Sequence, residues 1–184
     1  MKVKIVNRVS LAVLLSTACL ASVASADESD KSGFYFESGL MYSKYEEPAG
    51  WFTNVPLVIR IGTSFSENLS VEGTFGTSIA DTDFYAGSTL VSARVNSLYS
   101  LGMKYELSPK EETTVFGKLG VGSGTLSAST SYGSAWSSGT DIQYGVGIRT
   151  NSGAKNYWSL DYTSYYNKSS VTLTGLSLTY GTRF

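Results

Sequence analysis

Residue types alternate with a period of two along most of the chain, which is the pattern of β-strands that have one apolar and one polar face. No segment of ten or more residues in the part after the N-terminal 26 shows a convincing helical period. Eight alternating segments are predicted as strands, at residues 34–45, 55–65, 69–77, 89–107, 113–125, 140–150, 157–165 and 171–184. The pattern predicts an all-β fold with eight antiparallel strands.

The two faces of these strands differ in chemistry. One face is apolar and aromatic, with residues such as Leu40, Ile59 and Leu101. The other combines glycines with one or two charges in nearly every strand, and we expect these charges to form an ion-paired network in the lumen of a barrel. Its charged members are Glu37, Arg60, Glu72, Arg94, Lys104, Lys118, Arg149, Asp161 and Arg183.

Alternation alone does not say which face is inside. In a soluble eight-stranded barrel the apolar face would point inward, whereas in a membrane barrel it would point to lipid. Glycines beside long charged side chains suit a narrow interior, and aromatic residues lie near the strand ends, as in the interfacial girdles of membrane barrels. Short links near residues 66–68, 108–112 and 151–156 alternate with longer ones at 46–54, 78–88 and 126–139, although the last link, 166–170, is also short. These features favour the membrane barrel.

The last strand, residues 171–184, keeps its alternation up to the terminal residue. It resembles the C-terminal strand of bacterial outer-membrane β-barrels, which has apolar or aromatic residues at alternate positions up to a final Phe. The residues that match are Leu176, Leu178, Tyr180 and Phe184, while Thr182 departs from the pattern. The resemblance implies that these four residues are recognised by the barrel-assembly machinery.

Segments such as SLGMKYEL (Ser100–Leu107) and QYGVGIR (Gln143–Arg149) extend this likeness over residues 34–184. The chain resembles the small eight-stranded outer-membrane proteins: the barrel domain of OmpA, the OmpX and attachment-invasion type, and the small barrels assigned to the porin family. The resemblance implies an eight-stranded antiparallel up-and-down transmembrane β-barrel in the outer membrane of a Gram-negative bacterium. Its expected partners are outer-membrane lipid and lipopolysaccharide, and we expect a monomer.

The N-terminal residues predict export. Lys2, Lys4 and Arg8 precede an apolar run and the small residues Ala24-Ser25-Ala26, which is typical of a signal peptide at residues 1–26. Residues 27–33 are expected to form a short periplasmic tail. The remaining 158 residues suit a single domain, and their net charge of −4 argues against a nucleic-acid partner. The one cysteine, Cys19, falls in the signal, so the mature chain has no thiol.

Residue types also limit the chemistry. The chain has no histidine, so a serine nucleophile would lack its usual base, and Lys104 and Lys118 are expected to be ion-pair partners rather than catalytic groups. Asp81 and Asp83 are spaced like metal ligands, but two carboxylates in a polar loop are usually just solvated. We therefore expect no enzymatic activity, no metal site and no cofactor.

The longer links carry exposed-type aromatic residues, which commonly anchor binding. The candidates are Trp51, Phe52, Phe84, Tyr85, Tyr132, Trp136, Tyr165 and Tyr166. Two leading hypotheses remain open from the sequence, and a soluble periplasmic ligand-binding barrel is a third. The first is a structural or adhesive protein whose loops contact a host-surface ligand. In an alternative role, the same loop aromatic residues would contact lipopolysaccharide. The second is a narrow ion or small-solute channel, although an eight-stranded barrel leaves little free interior.

Overall fold

The computed structural model describes residues 33–48, 50–168 and 170–184, and its strands form one antiparallel sheet that closes on itself. The strands are β1 (Gly33–Glu47), β2 (Gly50–Asn54), β3 (Pro56–Ser64), β4 (Leu69–Ser78), β5 (Thr82–Ala86), β6 (Thr89–Glu106), β7 (Thr113–Thr130), β8 (Gly133–Asn151), β9 (Asn156–Lys168) and β10 (Val171–Arg183). The predicted signal peptide, and the tail except for Gly33, lie outside the described residues. Gly33 itself belongs to β1.

The ten strands make eight barrel strands. β2 and β3 both pair with β1 and form one barrel strand that is interrupted at Val55. β4 and β5 likewise both pair with β6. The barrel closes where β1 pairs with β10, from Tyr35 opposite Arg183 to Glu46 opposite Thr172. The structure confirms the predicted eight-stranded antiparallel barrel, in which every barrel strand has two neighbours and no open sheet edge crosses the membrane.

The barrel has two different ends. We call the end with Gly33, Arg183 and the links at residues 65–68, 107–112 and 152–155 the turn end, and the opposite one the loop end. The apolar face points outward, as predicted for a membrane barrel: Leu101 and Val146 are 65% and 63% exposed. Among the described residues, no helix is long and apolar enough to cross a membrane.

Three predicted loops are largely strands. Residues 46–54, 78–88 and 126–139 were expected to be links, but β1, β2, β5, β7 and β8 extend through most of them. β7 and β8 remain paired up to Thr130 opposite Gly133. The prediction was wrong because outside the hydrocarbon a strand needs no apolar outer face, so the period-two signal fades while backbone pairing continues.

Two β-bulges change which residues point inward near the loop end. In β6 the register shifts between Val95 and Ser97. As a result, Val95 points inward on the loop-end side of the bulge and Leu98 points inward on the turn-end side, although the two are three residues apart. In the β9–β10 pair, the register shifts between Leu173 and Thr174. An extra residue in one strand exchanges the faces of everything beyond it, which a strict alternation cannot foresee.

Some glycines on the inner face make room for aromatic rings. A Cβ on Gly62 would collide with the ring of Tyr35, and a Cβ on Gly181 would collide with the ring of Tyr157. Both rings are almost completely buried. These glycines are therefore required by close packing in a narrow barrel and not by backbone conformation.

Candidate functional sites in the lumen and at the loop end

The centre of the lumen is organised around Arg60, which is 1% exposed. Its guanidinium binds Asp161 through two hydrogen bonds of 2.7 and 3.1 Å and donates a third, of 3.2 Å, to Glu37. Its Nε lies 3.8 Å from a carboxylate oxygen of Glu72. The planar fork of arginine suits such multiple pairing, because it presents several donors in one plane.

Three further cations complete the network. Lys118 Nζ lies 2.8 Å from Glu72 and 3.7 Å from Asp161. Lys104 Nζ lies 3.5 to 3.7 Å from the carboxylates of Glu37, Glu72 and Glu106. Arg149 donates to Glu106 at 2.6 Å and to the carbonyl oxygen of Pro109 at 3.1 Å. The network thus pairs four cations with four carboxylates.

The carboxylates also accept hydrogen bonds from neutral groups. Tyr35 donates to Glu72 at 2.9 Å, and Tyr157 donates to Glu37 at 3.0 Å. Thr179 donates to Glu37 at 2.9 Å, and Thr163 donates to Asp161 at 3.0 Å. Burying charges is tolerated only when they are paired and hydrogen-bonded, and the four carboxylates meet both conditions. Among the described residues, Nε of Arg60 and Nε of Arg149 have no hydrogen-bond partner. The network fills the cross-section with side chains.

An apolar cluster lies beside this network toward the loop end. We call it the plug; its buried members are Met41, Val58, Val95, Leu98, Tyr165 and Leu173. Tyr45, Leu126 and Tyr166 pack against it. A polar, ion-paired lumen was predicted, whereas this part of the interior is apolar. A bulge accounts for only one plug member, because it brings Val95 to the inner side. The other five lie at the same period-two positions as the inward charges and glycines of their strands.

Arg94 is the one predicted lumen residue that the structure places elsewhere. It lies above the β6 bulge, where its guanidinium pairs with Asp81 at 3.4 Å. The two side chains are 41% and 50% exposed. The lumen assignment of Arg94 was wrong because the bulge exchanges inward and outward positions. Arg183 points into the turn-end mouth, where its guanidinium carbon lies 5.0 Å from the ring centre of Tyr157.

The predicted loop aromatics divide into three groups. Trp51, Tyr85, Tyr132 and Trp136 are exposed, with Tyr132 at 90% and Trp136 at 77%. Phe52 and Phe84 stack on each other with a centroid distance of 6.3 Å, which joins the β1–β2 and β5–β6 extensions. Tyr165 is 2% exposed and Tyr166 packs beside it, so their assignment to a loop surface was wrong. Tyr165 continues the inward alternation of Asp161 and Thr163, and the extra residue in β9 turns Tyr166 toward the plug as well.

Sequence reasoning missed three functional residues of the lumen. Glu106 belongs to the charged phase of β6 and could have been found there, between Tyr105 and Leu107. Tyr35 and Tyr157 each stand beside outward aromatics, which hid their inward direction. Their phenol groups bind the network, and the ring of Tyr35 lies 4.2 Å from Lys104 Nζ. The part of the chain that the structure describes contains no group of three or more metal-binding side chains.

The predicted assembly residues lie together on the outer face of β10. Leu176 and Leu178 are 46% and 52% exposed. Tyr180 packs against Trp158 with a centroid distance of 5.0 Å, and Phe184 packs against Phe34 at 5.6 Å. The Phe184 amide also donates to the Phe34 carbonyl oxygen at 3.0 Å, which extends the closing pair to the last residue.

The chain matches a known protein family over almost its whole length. The model of the outer membrane protein beta-barrel domain matches residues 11–184. The chain belongs to this family. Membership of this family places the chain in the outer membrane of a Gram-negative bacterium. No curated protein sequence matches it.

Solved structures with the same fold include three bacterial barrel proteins. Ail, the attachment invasion locus protein of Yersinia pestis, was solved in complex with the heparin analogue sucrose octasulfate; it is 22% identical, with a TM-score of 0.60 over 84% of this chain and 100% of Ail. Neisserial surface protein A is 18% identical, with a TM-score of 0.58 over 83% and 98%. The N-terminal barrel of Pseudomonas aeruginosa OprF is 12% identical, with a TM-score of 0.56 over 82% and 98%. At these identities the likeness concerns the fold.

Proposed function

We propose that this protein is a structural or adhesive surface protein, with its loop end outside the cell and its turn end in the periplasm. The signal-peptide pattern supports export, and an even number of barrel strands places both ends of the barrel segment on the turn side. The barrel positions the loop end and contributes no reaction of its own. The absence of histidine and the engagement of Lys104 and Lys118 in ion pairs support a role without catalysis.

The observation that carries the proposal is the upper part of the β7–β8 hairpin. Residues 123–140 contain no charged side chain and consist mostly of Ser, Thr and Gly. Tyr132 and Trp136 are the two most exposed aromatic residues among those described. Rigid aromatic rings beside small hydroxyl groups form contact area at low entropic cost, which is the composition of many binding surfaces.

The charges at the loop end favour a neutral or cationic partner over a polyanion. The described loop-end charges are five carboxylates and three cations: Glu46, Glu47, Asp81, Asp83 and Asp141, with Lys44, Arg94 and Lys168. Ail was solved with a sulfated ligand, but this loop end offers no excess of positive charge to bind one. We therefore propose contact with an uncharged surface, such as neutral glycans of the host or of the cell envelope.

The filled interior weighs against the alternative of a channel. The ion network and the plug both lie across the barrel, and Arg60 and Met41 are buried at 1% and 0% exposure. A diffusing ion would have to break paired charges and pass an apolar constriction, each of which opposes conduction.

A binding comparison on whole cells tests the proposal. Cells that display the parent or the Tyr132→Ala/Trp136→Ala variant would be compared on arrays of neutral and sulfated glycans and on envelope components. We expect the parent to bind neutral surfaces. In the variant, the binding free energy should weaken by about 2 kcal/mol or more, because truncating an aromatic anchor typically costs this much. Leu101→Met, on the lipid face, is the control. Equal binding by parent and variant to every surface would refute the proposal.

A further inference from the structure

A cavity of about 440 Å³ lies at the turn end, between the ion network and the links that join the strands. Tyr35, Asn68, Lys104, Arg149, Tyr157 and Arg183 are among the residues that line it. A volume of this size falls in the range of pockets for small molecules. The cavity is separate from the loop-end surface, and nothing in the proposed function uses it.

The cavity carries one more cation than the described side chains neutralise. The lumen network pairs four cations with four carboxylates, and Arg183 is a fifth cation. Within the described residues, no carboxylate lies within 4.0 Å of its guanidinium. In the part of the chain that the structure describes, neither its buried Nη2 atom nor the buried Nε of the neighbouring Arg149 has a hydrogen-bond partner. A buried charged donor without a partner costs free energy that a bound acceptor would recover.

Two guanidiniums converge on one ring in this cavity. The guanidinium carbons of Arg149 and Arg183 lie 5.6 and 5.0 Å from the ring centre of Tyr157. Arg149 shares its carboxylate partner, Glu106, with Lys104. At the rim, Lys110 pairs with Glu67 at 2.9 Å, so the rim adds no net charge. The unneutralised charge is therefore inside the cavity, at Arg183.

We propose that the turn-end cavity binds a small organic anion, whose carboxylate or phosphate group pairs with Arg183 beside Arg149. Arginine suits this role because its fork matches the geometry of both oxyanions. The neutral part of the ligand contacts the hydroxyl and amide groups of Ser64, Ser70 and Asn68, which also line the cavity. A polar, hydroxylated acid or sugar phosphate fits this combination of groups better than an apolar acid.

Amide chemical shifts of the ¹⁵N-labelled barrel in detergent micelles test this site. Glucose 6-phosphate, gluconate and uncharged glucose would each be titrated into the parent protein. We expect saturable shifts at the amides of Asn68 and Arg183 with one or both anions and none with glucose. Arg183→Gln should weaken the binding about tenfold or more, since hydrogen bonds to charged groups contribute that much.

Arg94→Gln is the matched control, because it removes an arginine at the other end of the barrel and should leave the binding unchanged. Arg183→Lys keeps the charge but loses the planar fork, and we expect binding between that of the parent and that of Arg183→Gln. If Arg183→Gln does not fold, the parent titration and Arg183→Lys still decide. The proposal is overturned by the absence of saturable shifts with both anions, by equal shifts with glucose, or by unweakened binding in a folded Arg183→Gln.

Discussion

Replacing Arg60 by glutamine should destabilise the barrel more than any other single change in the lumen. The substitution removes two hydrogen bonds to Asp161, one to Glu37 and the longer contact with Glu72. Hydrogen bonds to charged groups contribute about 1.5 to 3 kcal/mol each, so the direct loss could reach about 9 kcal/mol.

Part of that loss is offset by groups that remain. Lys118 stays 3.7 Å from Asp161 and Lys104 stays 3.5 Å from Glu37, while Thr179 and Thr163 keep their hydrogen bonds to the carboxylates. Breaking a buried ion pair by removing one partner typically costs about 3 to 5 kcal/mol. We expect the free energy of unfolding to fall by that amount in Arg60→Gln.

Urea unfolding of the reconstituted barrel, followed by tryptophan fluorescence, measures this change. Arg94→Gln is the control, since its pair with Asp81 is half exposed and such pairs contribute about 0 to 1 kcal/mol. A loss below about 1 kcal/mol in Arg60→Gln, no larger than in the control, would refute the claim that a buried arginine holds the network together.

Three other changes test the faces, the packing and the assembly of the barrel. Leu101→Arg should lower the stability of the folded barrel by about 2 to 4 kcal/mol, because it places a charge on the lipid face. Tyr132→Arg, at the exposed loop end, should fold like the parent. Heat-modifiable gel mobility measures the folded fraction of each variant, and equal folded fractions would contradict the outward assignment of Leu101. Gly62→Ala should lower the unfolding midpoint in urea, because its methyl group would collide with the buried ring of Tyr35. Gly117→Ala is the control, since its methyl group would point into open space and should leave the midpoint unchanged. Equal midpoints for the two variants would contradict the close packing at Gly62. Deletion of Phe184 should reduce folded protein in the outer-membrane fraction of cells, and an unchanged yield would count against a role in assembly.

The barrel was predictable because lipid and lumen impose different chemistry on the two faces of every strand. Leu101 and Val146 face outward and Glu37, Arg60 and Asp161 face inward for that reason, and period-two alternation records it directly. The pairing of inward charges also follows, because unpaired charges would be costly in a narrow interior.

The features that could not be predicted lie where the alternation of residue types no longer indicates which side chains point inward. The bulge next to Val95 moves Arg94 to the outside of the barrel, and no residue near it in the sequence indicates a bulge. Tyr165, by contrast, follows the alternation from Asp161, so its inward direction could have been predicted, and only the extra residue beside Tyr166 could not. Above the hydrocarbon, Ser- and Thr-rich segments such as residues 126–139 have no apolar face, so their extended pairing leaves no pattern in the sequence.

The central claim is that the barrel is sealed and that the protein acts through its loop end. Planar-bilayer recording of the purified parent protein tests this claim most directly, because a sealed barrel conducts no ions. The ion network and the plug predict no unitary conductance from the folded protein. Reproducible unitary conductance that Glu72→Gln or Leu98→Ala alters would contradict the account and would establish the channel in its place.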